Sequence, residues 1–299
     1  MPRGGVASAG KRLKLALEAE QPLQIVGAIN AFAALQAERA GFRAIYLSGS
    51  GVASASHGVP DLGITALHDV VTDASRITSA CQLPVLVDID TGWGGAFSIC
   101  RSIRELERAG VAAVHLEDHV SQKRCGHRPG KQLVSSGEMC DRIRSAADAR
   151  ADPDFMIIAR TDALAVEGLE GVLERAGQYV DAGADGIFAE ALTDLTMFRA
   201  VCESVSQPVL ANMTEFGVTP LFALNELKSA GVAMALYPLS AFRSMSAAAR
   251  RTYEAIRQDG TQASVIEGMQ TRSELYDLLG YQDFERKLDE LLGKEIEDD

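Results

Sequence analysis

The chain has 299 residues, of which 47% are hydrophobic and 23% are charged, a composition typical of a globular protein. Its formal net charge of −12, from 41 acidic and 29 basic residues, argues against nucleic acid and anionic membranes as partners. No window approaches the ~20 apolar residues of a membrane-spanning helix, and the basic N-terminus lacks the apolar run of a signal peptide. We therefore expect a cytoplasmic protein in which clustered arginines bind any anionic substrate.

Eight short apolar runs rich in β-branched residues predict eight strands. Amphipathic segments at helical spacing separate them, so every gap is long enough for a helical crossover. Strand–helix alternation of this kind is typical of a parallel sheet. The runs span residues 24–29, 43–48, 84–89, 112–117, 155–160, 185–190, 208–212 and 232–237.

The residues that precede these runs alternate in type along the chain. Runs two, four, six and eight follow an Ala-Gly pair, in which glycine can adopt the left-handed conformation that ends a helix. Runs one, three, five and seven instead follow a proline, which stops a helix and favours extended backbone. The pairs are Ala40-Gly41, Ala109-Gly110, Ala182-Gly183 and Ala230-Gly231, and the prolines are Pro22, Pro84, Pro153 and Pro208.

A two-unit rhythm of eight βα units predicts a closed (β/α)8 barrel of the TIM type, in which alternate strands fill the interior layers. A doubly wound sheet is the alternative, but no GxGxxG motif follows the first strand. We predict one barrel domain over residues 1–299, with residues 239–293 as its C-terminal helical extension. The extension is longer than a barrel needs, which indicates an extra packing layer or an oligomer contact.

The carboxyl ends of the strands carry the active site in barrels of this type. Two connections there, residues 49–64 and 118–135, are long enough to serve as lids or binding elements. The residues at or just beyond the strand ends are mostly polar, which indicates a reaction centre. They are Tyr46, Ser48, Gly49, Ser50, Asp88, Asp90, His115, Glu117, Asp118, Arg160, Asp162, Glu190, Asn212, Thr214, Tyr237, Ser240 and Arg243.

Asp88 and Asp90 lie two residues apart on an extended segment, so both carboxylates point to the same side. Such oxygen ligands suit Mg2+, which commonly binds one or two carboxylates, several waters and the substrate. Glu117 on the neighbouring strand could hold metal-bound waters. The alternative is that the two aspartates cap the next helix, because Asp-x-Asp alone is a weak pattern.

The segment from Gln122 to Lys131 carries four Lys or Arg residues and His127 around Cys125, in an otherwise acidic protein. Positive neighbours stabilise a thiolate, so a cysteine with an ordinary pKa of ~8.5 becomes a competent acid or base near neutrality. The alternative is a solvated basic loop with an incidental cysteine. The five cysteines form no CxxC pair, so neither a disulfide framework nor a zinc site is indicated. Those predicted to be helical packing residues are Cys81, Cys100, Cys140 and Cys202.

Two arginines near strand ends, Arg160 and Arg243, could each bind a carboxylate in bidentate geometry, with surface salt bridges as the alternative. His115 lies within a strand and is predicted to be a buried, hydrogen-bonded pocket residue. No role is assigned to the histidines that lack a partner pattern, which are His57, His68 and His119.

Six motifs taken together resemble the isocitrate lyase and phosphoenolpyruvate mutase superfamily, and the resemblance covers nearly the whole chain. They are the segment Lys123–Pro129, the Tyr46-Leu47-Ser48-Gly49 turn, Asp88-x-Asp90, His115-x-Glu117-Asp118, Ala159-Arg160-Thr161-Asp162 and Asn212-x-Thr214. Within the superfamily, the resemblance is closest to the 2-methylisocitrate lyases. Isocitrate lyases are similar but usually carry a large insertion, and mutases and phosphonopyruvate hydrolases generally lack the cysteine segment.

The resemblance implies a role for each matched residue. Asp88 and Asp90 would carry Mg2+, and Phe188 and Leu236 are our candidates for the pocket that accepts the substrate methyl group. Ser50 departs from the family pattern, which typically has glycine there. The residues implied in catalysis are Cys125 as the proton donor, Tyr46, Glu117 and His127. Those implied in substrate binding are Ser48, Gly49, Ser50, Cys125, Gly126, Arg160, Glu190, Asn212, Met213, Thr214, Arg243 and Arg272.

The resemblance also implies Mg2+-dependent cleavage of 2-methylisocitrate to pyruvate and succinate, a step of the methylcitrate cycle in propionate catabolism. The partner would be a small tricarboxylate, and the assembly a cytoplasmic homotetramer whose late helix is exchanged between subunits. Alternatives are a related lyase acting on isocitrate or dimethylmalate, and a phosphonopyruvate-type enzyme. A non-catalytic carboxylate-binding barrel or scaffold is a further alternative, which has no need to keep Asp88, Asp90, Glu117 and Cys125 together.

Overall fold

The computed structural model describes residues 7–120 and 132–293. Within them, eight parallel strands pair in chain order around a closed barrel, and the last strand pairs with the first. The predicted (β/α)8 barrel is confirmed, and the doubly wound alternative is wrong. The strands are β1 (Leu23–Gly27), β2 (Ala44–Leu47), β3 (Val85–Asp88), β4 (Ala113–Glu117), β5 (Met156–Thr161), β6 (Gly186–Ala189), β7 (Val209–Asn212) and β8 (Met234–Tyr237).

Helices separate the strands along the chain, and one more helix, α1 (Ala9–Ala19), precedes β1. Leu13 and Ala16 of α1 pack against side chains of the barrel interior. Among the described residues, no helix combines the length and the apolar character needed to cross a membrane. The later helices are α2 (Ala31–Arg39), α3 (Gly49–Gly51), α4 (Leu67–Ala80), α5 (Ala96–Arg108), α6 (Ser136–Ala149), α7 (Leu164–Asp181), α8 (Leu195–Ser204), α9 (Leu224–Ser229), α10 (Ser240–Asp259), α11 (Arg272–Leu279) and α12 (Tyr281–Leu292).

Alternate residues of each strand belong to two separate apolar clusters, as the period of two along a strand requires. One cluster fills the barrel interior and includes Ile25, Tyr46, Leu86, Ile158, Phe188, Leu210 and Leu236. The other joins the outward side chains to the helices and includes Ile45, Val87, Val114, Ile157 and Ile187. Asp88, Glu117 and Arg160 share the register of the interior set. Their side chains therefore project into the carboxyl end of the barrel.

Four glycines end the helices that precede the even-numbered strands, as the Ala-Gly pairs predict. The C-cap residues of helices α2, α5, α7 and α9 are Ala40, Ala109, Ala182 and Ala230 respectively. The glycines that follow, Gly41, Gly110, Gly183 and Gly231, have φ values of 90°, 80°, 107° and 88°. A side chain with a Cβ rarely adopts this left-handed conformation, so glycine there sends the chain into the next strand.

The connection predicted after the second strand, residues 49–64, begins with ordered helical structure. Gly49–Gly51 forms α3, and Val52–Ser56 continues as a π-helix. The Ser56 hydroxyl donates to the buried Asp73 carboxylate of α4 at 2.6 Å. The first half of this connection is therefore helical, and the hydrogen bond from Ser56 to Asp73 anchors it on α4.

The chain divides into two compact units, residues 1–242 and residues 243–299. The described part of the second unit contains most of α10 together with α11 and α12, and none of these helices has a buried residue. The rings of Tyr276 and Tyr281 stack there with their centroids 4.3 Å apart. Large apolar side chains such as Phe284 and Leu291 are 74% and 73% exposed, which is a large exposed apolar surface for a small helical unit.

Candidate active site

Side chains of the interior register gather at the carboxyl ends of β3 to β6. Asp88 on β3 pairs with His115 on β4, and Glu117 on β4 pairs with Arg160 on β5. Arg160 pairs in turn with Phe188 on β6. Four of these residues are buried, and the side chain of Arg160 is 12% exposed. Parallel register thus brings residues from distant parts of the chain into one largely buried site, where charged groups require partners.

Tyr46 of β2 contacts both His115 and Asp88. Its hydroxyl lies 2.9 Å from His115 Nε2 and donates to Asp88 Oδ2 at 3.5 Å, and the Tyr46 and His115 rings stack. Burial, and then the negative charge of Asp88, raise the pKa of Tyr46 well above its ordinary value. The phenol is therefore suited to donate a hydrogen bond. His115 is fully buried and contacts the Tyr46 hydroxyl, as the sequence predicts.

Asp88 and Asp90 form a cradle with Gly49. The N–H of Gly49 donates to Asp88 Oδ2 at 3.1 Å, and the N–H of Asp90 donates to Asp88 Oδ1 at 3.0 Å. A Cβ on residue 49 would lie 3.0 Å from Asp88 Oδ2 and 3.3 Å from Asp90 Oδ1, so glycine leaves open the space that both carboxylates face. Within residues 7–120 and 132–293, no three His, Cys, Asp or Glu side chains form a metal site by themselves. Two carboxylates beside open space fit Mg2+, because water and substrate commonly complete its shell.

The Arg160 guanidinium is fixed by two carboxylates and an aromatic ring. Its Nε donates to Asp162 Oδ2 at 2.9 Å, and its Nη1 lies 3.3 Å from Glu117 Oε2. The guanidinium carbon lies 5.1 Å from the centre of the Phe188 ring, a cation–π contact. Burial by itself lowers the pKa of Arg160, but the carboxylates around it, Asp162 above all, hold that pKa well above its ordinary value. Arg160 is a permanent cation that is already oriented before a ligand binds.

Glu190 and Asn212 continue the site along the carboxyl ends of β6 and β7. Asn212 Nδ2 donates to both carboxylate oxygens of Glu190, at 3.2 Å and 3.3 Å. Glu190 is buried, as are Met213 and Thr214, which follow Asn212 in the chain. An amide and a carboxylate joined in this way present a polar wall opposite the Asp88 side of the barrel.

The residues predicted to accept a methyl group, Phe188 and Leu236, are both members of the barrel-interior cluster and are 1% exposed. Phe188 meets the His115 ring edge-on with their centroids 5.4 Å apart. Leu236 is in register with Asn212. Both residues adjoin the polar site, and their role toward a methyl group stays a prediction.

The remaining predicted substrate residues fall in three places. Ser48 is buried at the start of α3, and Ser50 within α3 is half-buried. Arg243 and Arg272 belong to the second unit, where both are exposed. Cys125, Gly126 and His127 lie outside the described residues. The structure thus gathers the barrel residues at one end, and the roles of the other predicted residues stay predictions.

Asp118, next to Glu117, is buried, and its carboxylate is the centre of a hydrogen-bond network, called here the Asp118 hub. Its carboxylate accepts hydrogen bonds from the Thr161 hydroxyl at 2.7 Å, the Asp162 N–H at 3.0 Å and the Tyr179 hydroxyl at 2.8 Å. Arg175 of α7 balances its charge at 3.4 Å. Burial, and then the charge of Asp118, raise the pKa of Tyr179, so this phenol stays protonated. The hub fixes the start of the Asp162 segment that orients Arg160.

A short antiparallel stem flanks residues 121–131. The N–H of Val134 donates to the Asp118 carbonyl at 2.9 Å, and the N–H of Val120 donates to the Gln132 carbonyl at 3.0 Å. His119 and Leu133 form the bridge between these two hydrogen bonds. The described chain therefore leaves β4 and returns toward α6 as a paired two-stranded unit.

Two buried arginines hold this stem from the surrounding helices. Arg142 of α6 donates to the carbonyls of Glu117 and His119, at 3.2 Å and 2.9 Å. Arg175 of α7 donates to the Val134 carbonyl at 3.1 Å. Each arginine also binds a glutamate of its own helix at 2.6 Å. Charge-assisted hydrogen bonds of this kind are stronger than neutral ones, so both sides of the stem are firmly anchored.

The four cysteines predicted to be packing residues are free thiols in the structure. Burial raises the pKa of Cys81 and Cys140, and raises the pKa of Cys202 to about 11. Cys100 is half-buried, and its thiol lies 3.3 Å from the Ser145 carbonyl. Thiols with raised pKa values are poor nucleophiles, which supports the packing interpretation.

Sequence reasoning missed three buried residues next to the site: His119, Arg142 and Arg175. A signal existed for His119, because it continues the period of two from His115 and Glu117 beyond the end of β4. No signal existed for the two arginines. Each lies on an amphipathic helix, where an arginine that reaches inward is indistinguishable in sequence from one that faces solvent.

The chain matches a family model described as phosphoenolpyruvate phosphomutase over residues 13–257. It is 60% identical over 288 residues to a 2-methylisocitrate lyase of Shewanella oneidensis, covering 96% of this chain and 99% of that protein. Its fold resembles a solved 2,3-dimethylmalate lyase, a PEP mutase/isocitrate lyase superfamily member, with a TM-score of 0.88, 36% identity and 97% of both chains covered. It also resembles a phosphonopyruvate hydrolase complex with oxalate and Mg2+, with a TM-score of 0.83, 29% identity and 95% and 98% of the chains covered.

The matched range encloses all eight strands of the barrel, so the match includes every strand whose carboxyl end contributes to the site. The cradle, the fixed arginine and the polar wall lie on a barrel whose fold these solved structures share. The resemblance drawn from the sequence motifs is confirmed at high identity over nearly the full chain. The chain therefore belongs to the phosphoenolpyruvate mutase and isocitrate lyase superfamily and is a lyase.

Proposed function

We propose that the protein cleaves 2-methylisocitrate to pyruvate and succinate in a Mg2+-dependent step of the methylcitrate cycle. One observation carries the proposal: the Asp88–Asp90 cradle lies at the same barrel end as the fixed cation Arg160, in a chain 60% identical to a 2-methylisocitrate lyase. A tricarboxylate with a hydroxyl group offers oxygen ligands to a cation and carboxylates to an arginine. The Asp88–Asp90 cradle and Arg160 supply the side chains for these two kinds of contact.

Asp88 and Asp90 would hold Mg2+, which when bound polarises the hydroxyl and carboxylate oxygens at the substrate end that becomes pyruvate. Gly49 keeps the space in front of both carboxylates open. The N–H of Glu117 donates to the Asp90 carbonyl at 2.9 Å. That bond fixes Glu117 beside the cradle, where its carboxylate can accept hydrogen bonds from bound water.

Cleavage follows retro-aldol chemistry once a general base has taken the proton of the substrate hydroxyl. The carbon–carbon bond breaks, and its electron pair passes to the succinate fragment, where it is delocalised into a carboxylate. Charge that develops in the transition state is best stabilised by donors oriented in advance. Arg160 and Asn212 are such donors, because each is already held by a buried carboxylate partner.

The succinate carbanion needs a proton, and we assign its delivery to Cys125. Lys123, Arg124 and His127 surround this cysteine in sequence and favour an acid–base role near neutral pH. The Tyr46 phenol, whose pKa is raised, serves as a hydrogen-bond donor beside Asp88. The acid and the metal cradle are thus supplied by different parts of the chain.

We also propose that the protein is a homotetramer in the cytoplasm. The support comes from the second unit, in which helices α10 to α12 bury no residue and leave Tyr253, Phe284 and Leu291 largely exposed. Apolar surface of this extent usually marks an interface between chains. An exchange of a late helix between subunits would cover it.

A second candidate substrate is 2,3-dimethylmalate, favoured by the fold match to a dimethylmalate lyase at 36% identity. The two substrates differ in the number of carboxylates that need cationic partners. Arg160, whose charge is permanent, together with the predicted contributions of Arg243 and Arg272, favours the tricarboxylate.

The first test measures the 2-oxo acid that the purified protein releases, which is pyruvate from 2-methylisocitrate or 2,3-dimethylmalate and glyoxylate from isocitrate, each with Mg2+ and with a chelator. We expect Mg2+-dependent release of pyruvate from 2-methylisocitrate, with slower release of glyoxylate from isocitrate, because a methyl pocket discriminates by only ~1–3 kcal/mol. Faster release from 2,3-dimethylmalate would favour the second candidate. Absence of a 2-oxo acid product from all three substrates with a folded, Mg2+-loaded protein would overturn the proposal.

The open cradle predicts a specific defect in Gly49→Ala. The added Cβ would lie 3.0 Å from Asp88 Oδ2, so it would crowd the carboxylates that face the cation. We expect the Mg2+ concentration for half-maximal activity to rise about ten-fold, or about 1.4 kcal/mol. Gly177→Ala on α7, where a Cβ would have no neighbour within 4 Å, is the matched control and should leave Mg2+ activation unchanged. An unchanged Mg2+ requirement in Gly49→Ala would place the cation elsewhere.

A further inference from the structure

His119 follows β4 and is 1% exposed. Its imidazole lies between two buried acidic side chains. The Nδ1 atom lies 3.7 Å from Glu117 Oε1, and the Nε2 atom lies 3.5 Å from Asp162 Oδ1. Both separations are longer than a hydrogen bond, so the two contacts are electrostatic.

The same two carboxylates hold the guanidinium of Arg160 from the other side. Arg160 Nη1 lies 3.3 Å from Glu117 Oε2, and Arg160 Nε lies 2.9 Å from Asp162 Oδ2. Glu117 therefore uses one oxygen toward His119 and the other toward Arg160. Asp162 binds Arg160 through both oxygens, and its Oδ1, which accepts from Arg160 Nη2 at 3.3 Å, also faces His119. The four side chains form a closed ring in which two nitrogen-bearing groups alternate with two carboxylates.

The backbone of His119 is fixed, so its ring is held in this position. The Arg142 guanidinium donates to the His119 carbonyl at 2.9 Å, and His119 forms the stem bridge with Leu133. Residues on both sides of His119 are also tied, through the Asp118 carbonyl and the Val120 N–H. A side chain anchored in this way can restrict the positions of the side chains that it contacts.

We propose that His119 is a positioning residue that holds Glu117 and Asp162 in place and thereby sets the orientation of Arg160. The inference rests on the proposed function for one point, which is that Arg160 binds a carboxylate of the substrate. Nothing in the sequence motifs assigns this residue a role. Its contribution is indirect, because the described contacts of its ring are to Glu117 and Asp162.

The physical basis is the balance of charge inside the ring. Without the imidazole, Glu117 Oε1 and Asp162 Oδ1 would each lose a polar neighbour in a buried site. Both carboxylates would then turn further toward Arg160. Its outward N–H groups would be drawn from the pocket, and a misplacement of about 1 Å is enough to weaken a substrate contact strongly.

The test compares His119→Phe, which keeps a ring without nitrogen atoms, with His119→Gln, whose amide can still contact a carboxylate. Oxalate with Mg2+ is the probe, and its dissociation constant is measured by calorimetry alongside KM and kcat for 2-methylisocitrate. We expect His119→Phe to weaken oxalate binding about ten-fold, as loss of an outer partner typically does, and His119→Gln to restore part of it. His68→Gln, at an exposed histidine of α4, should leave binding unchanged.

Binding is measured well below the thermal midpoint of each variant, so that a loss of stability alone leaves the dissociation constant unchanged. If His119→Phe does not fold, His119→Ala takes its place, because it removes the ring without adding volume. A dissociation constant within about two-fold of the unaltered protein, less than 0.5 kcal/mol, would overturn the proposal.

Two outcomes separate this inference from the proposed function. If the unaltered protein binds oxalate but does not cleave 2-methylisocitrate, the proposed function fails and the binding comparison still decides the role of His119. If the unaltered protein does not bind oxalate, crystal structures of it and of the ring-deleted variant decide. An Arg160 guanidinium displaced by about 1 Å supports the proposal, and an unmoved one overturns it.

Discussion

Cys125→Ser is expected to lower kcat for 2-methylisocitrate by about 10²- to 10⁴-fold, the range that a positioned acid or base contributes. A serine hydroxyl is a much weaker acid than a thiol among basic neighbours such as Lys123, Arg124 and His127. Substrate binding should change little, because serine is nearly the same size and keeps a polar atom. Pyruvate release gives kcat, and calorimetry with Mg2+ gives the substrate dissociation constant.

The matched control for this prediction is Cys100→Ser. Cys100 is a half-buried thiol on α5 that contacts only a carbonyl oxygen among its described hydrogen-bond partners. Its replacement should leave kcat within about two-fold of the unaltered protein, as substitutions away from the site usually do. If both variants turn over at the same rate, Cys125 is not the acid and the proton must come from another group.

Asp88→Asn is the second change with a large expected effect. The carboxylate charge supplies part of the attraction for Mg2+, and the amide keeps the shape of the side chain but lacks that charge. We expect kcat to fall at least about 100-fold, which corresponds to about 3 kcal/mol of transition-state stabilisation. A binding-specific measurement is the rise in thermal midpoint that Mg2+ causes, because a cation that binds only the folded state stabilises it.

The Mg2+-dependent rise in midpoint should be present in the unaltered protein and absent in Asp88→Asn. The control is Asp154→Asn, which removes a carboxylate that pairs with Lys14 at 2.8 Å on the surface and should keep both the rise and the activity. An equal Mg2+-dependent rise in Asp88→Asn and the unaltered protein would show that Asp88 does not bind the cation.

The barrel could be predicted from the sequence because its signals are local and repeated. Each Ala-Gly pair ends a helix, and each apolar run is long enough for one strand, so eight repetitions of the pattern leave little freedom in topology. The strand-end residues Asp88, Glu117 and Arg160 could be placed for the same reason, since the carboxyl ends of parallel strands meet at one end of the barrel. Period-two register then determines which of them point inward.

The contacts between side chains could not be predicted in the same way. Whether Asp162 binds Arg160, or Arg175 reaches the Asp118 hub, depends on distances between elements that are far apart in sequence. Asp90 adopts a φ of 49°, which is uncommon for a residue other than glycine. This conformation sets how the two carboxylates face each other. It follows from the surrounding packing, so the sequence pattern does not predict it.

Residues 118–120 and 132–134 form a paired stem. Because of this stem, the stability of the barrel depends little on which residues lie between its two sides. Because hydrogen bonds already join the two sides of the stem, an insertion between them would lengthen a connection whose ends are already held together. Each doubling of loop length then costs only about 0.6 kcal/mol of closure entropy, which is small beside the ~5–15 kcal/mol that stabilise a typical domain. Relatives can therefore diverge in this segment, and so in the chemistry that it supplies, while the same barrel continues to fold.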